Sequence, residues 1–254
     1  MLARDEADFL ADCLGSLGWV DELLVLVDSA SQDATPEIAR RYAERVELTP
    51  WRGFPLQRNL ALGLASTDWL LFADADERVP PALAQEVRRA VVERPGIAGF
   101  WISRRNIICG QWVRYAGWWP DRQLRLLRRG RARYDESAVV HEVAQLDGPS
   151  GVLAEPLVHL NYATLTEFQA KQAVYAKLEA RALWERGIRA RPHSLVLQPL
   201  CELRRRLLEL RGYRQGRLGF QLSVLMAVAS FTTYRELLRL AQSGAADNPE
   251  TATR

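Results

Sequence analysis

Two short, unbroken apolar runs, each ending in aspartate, constrain this chain more than any other feature. Leu23-Leu-Val-Leu-Val27 leads into Asp28, and Trp69-Leu-Leu-Phe-Ala73 leads into Asp74-Ala-Asp76. An apolar run without polar alternation suits a strand covered on both faces, as in sheets flanked by helices. Helical signals lie between and around the runs. Phe9, Cys13, Leu14 and Leu17 recur at helical spacing, and Thr35 before Pro36 reads as an N-cap followed by proline at the first helical position. Residues 55–64 and 80–93 read as further helices, and residues 45–48 and 99–103 as strands. The alternation predicts an α/β fold, a Rossmann-like and mostly parallel sheet flanked by helices.

Beyond Asn106 the pattern loosens. Strand-like pieces at 123–127, 138–140 and 157–160 stand among tryptophans, arginines and glycines. From Leu165 the chain reads as three helices, to about 186, over 195–210 and over 218–240, with a polar tail at 243–254 that has no reason to fold. The expected organisation is a catalytic domain over 1–163, a helical extension over 164–242 and the tail. A chain of 254 residues has room for one large α/β domain with such an appendage.

A net charge of +3 does not announce a nucleic-acid binder, and none is expected as a partner. Three scattered cysteines without a C-x-x-C pair exclude a disulfide framework and point to a reducing compartment. Arg4-Asp-Glu6 follows Met1 too closely for a signal peptide, and the longest uncharged run, 218–234, falls short of the roughly 20 residues of a spanning helix. That run adjoins residues 204–217, which hold six arginines and one acid, Glu209. Basic side chains beside an apolar face suit an anionic membrane surface, so a soluble or peripherally attached protein is expected.

Ligands of open α/β sheets bind beyond the carboxyl ends of the strands, where Asp28 and Asp74 stand. Side chains of an extended segment alternate, so Asp74 and Asp76 are expected to project to one side with Ala75 on the other. Such a pair suits Mg²⁺ or Mn²⁺. His159, ending another short strand, is a candidate third ligand or a structural histidine. Trp112, Tyr115, Trp118 and Trp119 read either as flat faces for a saccharide, with Arg114 and Arg122 for its phosphates, or as core.

Ala3-Arg-Asp-Glu6, Val27-Asp-Ser-Ala-Ser-Gln-Asp33, Gln57-Arg-Asn-Leu-Ala-Leu62 and Asp68-Trp-Leu-Leu-Phe-Ala-Asp-Ala-Asp-Glu-Arg78 form an ordered set. Asp121-Arg-Gln-Leu-Arg-Leu126 and Val140-His-Glu142 continue it. In order and spacing the set resembles glycosyltransferase family 2 over roughly the first 160 residues, particularly the bacterial enzymes that add a β-linked glucose to the lipopolysaccharide inner core. The resemblance implies a GT-A fold and an inverting hexose transfer from a UDP-sugar such as UDP-glucose to a lipid-linked saccharide. The site would be peripheral on the cytoplasmic face of the bacterial inner membrane. It implies Asp28 at the base, Asp74 near the ribose, Asp5, Ser29, Arg58 and Ala75 along the nucleotide-sugar, and Asp76 on the cation that neutralises the leaving diphosphate. Glu142 is the expected general base and Asp121 the runner-up; Trp118, Trp119 and Arg122 are the expected acceptor contacts.

Family members begin with an apolar strand before the segment matching Ala3-Arg-Asp-Glu6, whereas only Met1-Leu2 precede it here, so an upstream in-frame run of valine and isoleucine codons is expected. A nucleotidyltransferase also uses paired acids on an α/β sheet, but would carry a glycine-rich basic loop after its first strand, and none is visible. A non-catalytic saccharide-binding scaffold is the third reading. Nothing in the sequence sets the oligomeric state.

Overall fold

The computed structural model describes residues 1–136 and 143–246, with side chains to 242. The strand expected at 138–140 and the candidate base Glu142 lie outside the described residues. The chain divides into two compact units: Met1–Asn106 with Pro120–Asn161, and Ile107–Trp119 with the chain from Tyr162 onward. Ile107–Trp119 therefore clusters with the helices, an excursion that no local pattern announces.

The first unit opens with β1 (Leu2–Ala3), α1 (Ala7–Gly15), β2 (Leu24–Asp28), α2 (Thr35–Tyr42), β3 (Arg45–Thr49) and α3 (Phe54–Leu64). The three strands pair in parallel in the order β1-β2-β3, with Leu2 opposite Leu26 and Asp28 opposite Thr49. The unbroken apolar run of β2 now has its reason. Val25 and Val27 enter one core, while Leu26 points into a second on the other face. Leu10, Cys13 and Leu14 of α1 cover the first core, and Ala61 and Leu62 of α3 the second. Burying such side chains contributes roughly 1.5–3 kcal/mol each, so a strand read from both faces is hard to place anywhere else.

The chain continues through β4 (Trp69–Leu71), β5 (Glu77–Arg78), α4 (Pro81–Glu93), β6 (Gly99–Ile108), β7 (Gln111–Trp112), β8 (Asp121–Arg128), β9 (Ala132–Arg133), β10 (Gln145–Leu146), β11 (Ser150–Val152) and β12 (Leu157–Tyr162). Among the described residues the second sheet runs β4-β8-β6-β12-β5, with β11 beside β6. The expectation of an α/β sheet with flanking helices holds, but only the first sheet is wholly parallel; the second is mixed, with β11 parallel to β6. β4 with β8, β6 with β8, and β12 with β5 are antiparallel. No helix lies between β6 and β8, so the chain there returns antiparallel beside itself. Helix α4 buries Leu83, Ala84, Val87 and Ala90 in the first core. An apolar cavity of about 170 Å³ lies between β2 and β4, lined by Leu17, Trp19, Leu24, Trp69 and Leu71, and none of Asp28, Asp74 and Asp76 faces it.

The second unit holds α5 (Leu165–Glu185), α6 (Ser194–Arg204), a π-helical turn at Arg205–Glu209, a 3₁₀ turn at Gly212–Gln215 and α7 (Gly216–Ala246). The Thr164 hydroxyl caps α5 by accepting from the Glu167 N–H, and the Glu167 carboxylate accepts in turn from the Ala163 N–H. Helix α7 packs on both α5 and α6. Val113, Tyr162, Phe168, Leu218 and Leu222 form the core of this unit. Helix α7 also runs to Ala246, into the segment expected as a tail, and residues 247–254 lie outside the described residues. Among the described residues no helix is long and apolar enough to cross a membrane.

Candidate active site

The loops that follow β1 and β2 are clasped together. Asp5 sits in the left-handed region at φ 52°, and its carboxylate accepts from the Gln32 N–H at 2.7 Å. The Ser31 hydroxyl accepts from the Asp5 N–H, Thr35 from the Glu6 N–H and Asp33 from the Ala7 N–H. Strained backbone of this kind persists only where its surroundings over-determine it. Asp5, expected along the donor, is thus engaged in holding the loop in shape. Asp28 closes β2, buried, with Oδ1 accepting from the Ala30 N–H at 2.9 Å. Its Oδ2 lies 3.2 Å from Arg4 Nη1, an ion-pair distance without hydrogen-bond geometry, and so retains acceptor capacity. Ser29, next along, is exposed.

Asp74-Ala-Asp76 does not extend β4. The strand stops at Leu71, and the Glu77 N–H donates to the Asp74 carbonyl at 3.0 Å, folding the four residues into a turn. Strand alternation is therefore the wrong geometry, although Ala75 is indeed buried in the first core. The reason is Glu77. Fully buried, it accepts from the Asp74 N–H at 3.0 Å and from Arg125 Nη2 at 2.8 Å, so it draws the chain back on itself. Arg125, also buried, bridges Glu77 and both carboxylate oxygens of Asp74. Burial opposes ionisation of Asp74, but the Arg125 charge, with Arg58 and Arg104 behind it, holds the carboxyl down at about 2. Burial, reinforced by the Asp74 charge, pushes Glu77 up from its ordinary value against the pull of Arg125. The Cys13 thiol donates to the Asp74 carbonyl at 3.2 Å, and burial pushes it up to about 12, leaving it unreactive.

A second polar chain leads to Asp76. Asp121 is held by Arg104 Nε and Nη2 at 2.8 and 2.7 Å, by Asn106 Nδ2 at 3.1 Å and by Gln123 Nε2 at 3.0 Å. Burial raises its carboxyl, yet Arg104 and the two amides outweigh that and lower it. So engaged, Asp121 is poorly suited to the base role considered for it. The same contacts fix the next groups in turn. The Asn106 amide aims its nitrogen at the Asp121 carboxylate, so its oxygen meets His159 Nδ1 at 2.6 Å and Asn161 Nδ2 at 3.4 Å. An oxygen in that place requires His159 Nδ1 to carry a proton. Nε2 then faces Asp76 Oδ2 at 3.2 Å. A neutral ring leaves two acceptors opposed, and either a further proton or a cation must sit with them. One oxygen and one nitrogen ligand are apt for Mg²⁺ or Mn²⁺ that also takes substrate phosphates and water. No group of three or more acidic, histidine or cysteine ligands exists among the described residues, so oxygens from elsewhere would complete the shell. Asp74 and Asp76 side chains are 45 % and 33 % exposed, open enough to be reached.

Arg58 on α3 lies over the rings of Phe54 and Tyr134, 5.4 and 5.2 Å from their centroids. Arg122 on β8 is exposed. In the second unit Trp118 packs edge-on against Phe168 and Tyr162, the core alternative for that residue, and Trp119 meets Trp112 edge-on at 5.5 Å. Sequence reading missed Glu77, Arg104, Asn106 and Arg125 as parts of the centre. A usable signal was present: charged residues inside runs as apolar as Leu124-Arg-Leu-Leu127 have to be paired.

Known proteins resemble this chain. The Glycosyl transferase family 2 model matches residues 1–144, spanning the clasped loops, the Asp74 turn and β8. The lipopolysaccharide core biosynthesis glycosyltransferase LpsC of Rhizobium meliloti (strain 1021) is 31 % identical over 244 residues, 92 % of this chain and 88 % of its own. A TPR repeat-containing protein of Synechococcus elongatus is 38 % identical over 113 residues, 44 % of this chain and 28 % of its own. Among solved structures, the mannosyltransferase PcManGT from Pyrobaculum calidifontis, in complex with GDP-Man and Mn²⁺, covers 96 % of this chain and 78 % of its own at 18 % identity and TM-score 0.48. The family model takes in more than half of the chain and the LpsC match nearly all of it: this protein belongs to glycosyl transferase family 2 and is a glycosyltransferase of the GT-A type.

Proposed function

We propose that the enzyme moves a hexose, glucose by the resemblance, from a UDP-sugar to a lipid-linked saccharide such as lipopolysaccharide core, with inversion at the anomeric carbon. The reading places the enzyme peripherally on the cytoplasmic face of the bacterial inner membrane, against an anionic surface. The near full-length likeness to LpsC supports the acceptor class. The observation that carries the chemistry is the Asp76–His159 pair, 3.2 Å apart, with the histidine tautomer set from behind by Asn106. A divalent cation bound there would supply charge neutralisation for a departing diphosphate.

The chain's own groups have separable tasks in this reading. Asp28 accepts from the donor base, and Arg58 adds positive charge beside the nucleotide. Asp74, kept ionised by Arg125, accepts from the ribose hydroxyls. The acceptor hydroxyl oxygen attacks the anomeric carbon as the bond to the diphosphate breaks, and a carboxylate takes the hydroxyl proton. Glu142 is the proposed base, Asp121 being tied to Arg104.

Thermal melting with UDP and other nucleoside diphosphates, with and without Mn²⁺, tests the proposal. UDP with Mn²⁺ should raise the melting temperature more than either alone. Asp76→Asn should remove the metal-dependent part while leaving the unliganded midpoint within the effect of an ordinary surface change, about 0.5 kcal/mol. Pyrophosphate release from a nucleoside triphosphate, with no hydrolysis or transfer from UDP-sugars, would instead favour a nucleotidyltransferase.

A further inference from the structure

The outer side of α6 carries the side chains that a merely solvated helix would turn inward. Val196, Leu197 and Leu200, together with Leu208 on the π-helical turn beyond, are each more than half exposed. Leu197, Leu200 and Arg204 follow one another at helical spacing, so apolar and basic groups share one face. Helix α7, whose uncharged stretch is the apolar element read from the sequence, buries Leu218, Leu222, Ala227 and Leu237 against its two neighbours and leaves Phe220, Val228 and Phe231 exposed at separate points along its length. The clustered aliphatic surface that adjoins the arginines is that of α6 and the turn after it, with Phe220 at the start of α7 a single exposed ring beside Arg217.

The charge around it is one-sided. Nine arginines stand between residues 186 and 217 against two acids, Glu202 and Glu209. Both acids are already engaged, Glu202 by Arg205 and Arg206 and Glu209 by Arg204. Arg211 and Arg214 follow on exposed positions before α7, and Arg217 on its exposed first turn.

We infer that the outer face of α6, with the turn after it, docks on an anionic bilayer. The four aliphatic side chains enter the interfacial zone, and the surrounding arginines take the lipid phosphates. Charge selects this occupant. Two copies joined through the same face would bring their arginines together across a two-fold axis, and self-repulsion opposes that. An anionic partner without an apolar layer would leave Val196, Leu197 and Leu200 in water. The inference rests on the proposed membrane-bound acceptor and goes further by naming the face.

Co-sedimentation of the full chain with vesicles rich in phosphatidylglycerol, and with pure phosphatidylcholine as control, tests it. The chain should bind the anionic vesicles and release in salt. Leu197→Ser with Leu200→Ser should lower partitioning by about tenfold or more, because each leucine gives up its transfer into the interface. The equally exposed pair Val174→Ser with Leu178→Ser on α5 should leave binding unchanged. UDP–Mn²⁺ melting shifts of both variants should match the parent, which guards against misfolding. The exposed Cys201 on the same face, labelled with an environment-sensitive fluorophore in a Cys109→Ser background, should shift to the blue on anionic vesicles. No binding by the parent chain would overturn the membrane reading itself. Equal binding by the α6 variant with an unmoved fluorophore would overturn the α6 assignment and leave that reading standing. A vesicle-free change in sedimentation mass in the α6 variant would make the face a self-association surface instead.

Discussion

At the scale of single residues, the centre is held by charged groups that have given up water for one another. Arg125 and Glu77 are buried together, and removing one partner of a buried pair leaves the other uncompensated. Arg125→Met should therefore destabilise the fold by about 3–5 kcal/mol, and Glu77→Gln added to it should recover part of the loss, both measured by urea unfolding. Equal stability of Arg125→Met and the parent would contradict the geometry drawn around Asp74. Asn106 acts through His159 rather than on substrate. Asn106→Leu removes the acceptor that fixes Nδ1–H, so Mn²⁺ affinity in the presence of UDP should fall about 10–100-fold by electron paramagnetic resonance titration. A purely packing role for Asn106 would lower stability and leave that affinity where it was. Asp74 and Asp76 were legible from the sequence because acids after buried strands are conspicuous. Their supports were not, since Glu77, Arg125 and Asn106 come together only across β5, β8 and β6.

At the scale of elements, most segments follow from their own residues. The double-sided apolar run of β2, the Thr164 cap of α5 and the spacing of Leu83, Val87 and Ala90 in α4 each specify an element without outside help. The turn at Asp74 is the instructive exception. Read locally, Trp69 to Asp76 continues as a strand; in the fold, buried Glu77 and Arg125 hold it in a turn, so hydrogen bonding to distant partners overrides local propensity. A second case is the crossing of the 3₁₀ turn and α7. A Cβ placed on Gly219 would stand 2.1 Å from the Gly212 carbonyl oxygen, and backbone cannot yield as a flexible side chain does. Gly219→Ala should cost about 1–3 kcal/mol by overpacking, read as a lower melting temperature, whereas Gly15→Ala, with open space around it, should not.

For the whole molecule, the ionic centre sets part of the acid limit of stability. Asp74 is held at about 2 against an ordinary 3.8, so the folded state binds its proton less readily than the unfolded chain. The stability this gives is complete above pH 3.8 and is lost as pH falls towards 2. Glu77 is shifted the other way, so its protonation on acidification relieves a cost instead of removing a gain. Melting curves between pH 5 and 2 should fall less steeply for Asp74→Asn than for the parent chain, and identical slopes would show that Arg125 does not hold Asp74 as described.

The sequence alone determined the class of the fold, the positions of most helices and strands, and the family, because those rest on local periodicity and on motifs carried in order along the chain. It also exposed a basic, apolar stretch near the C-terminus. Only the tertiary structure decided that the Asp74 segment turns, that Asp121 is tied to Arg104, that Ile107–Trp119 joins the helices, and that α6 leaves a cluster of aliphatic side chains uncovered. The physical reason is common to all four. Which partner a charge finds, and which face of a helix is covered, depend on groups far apart in sequence, and no local pattern records them.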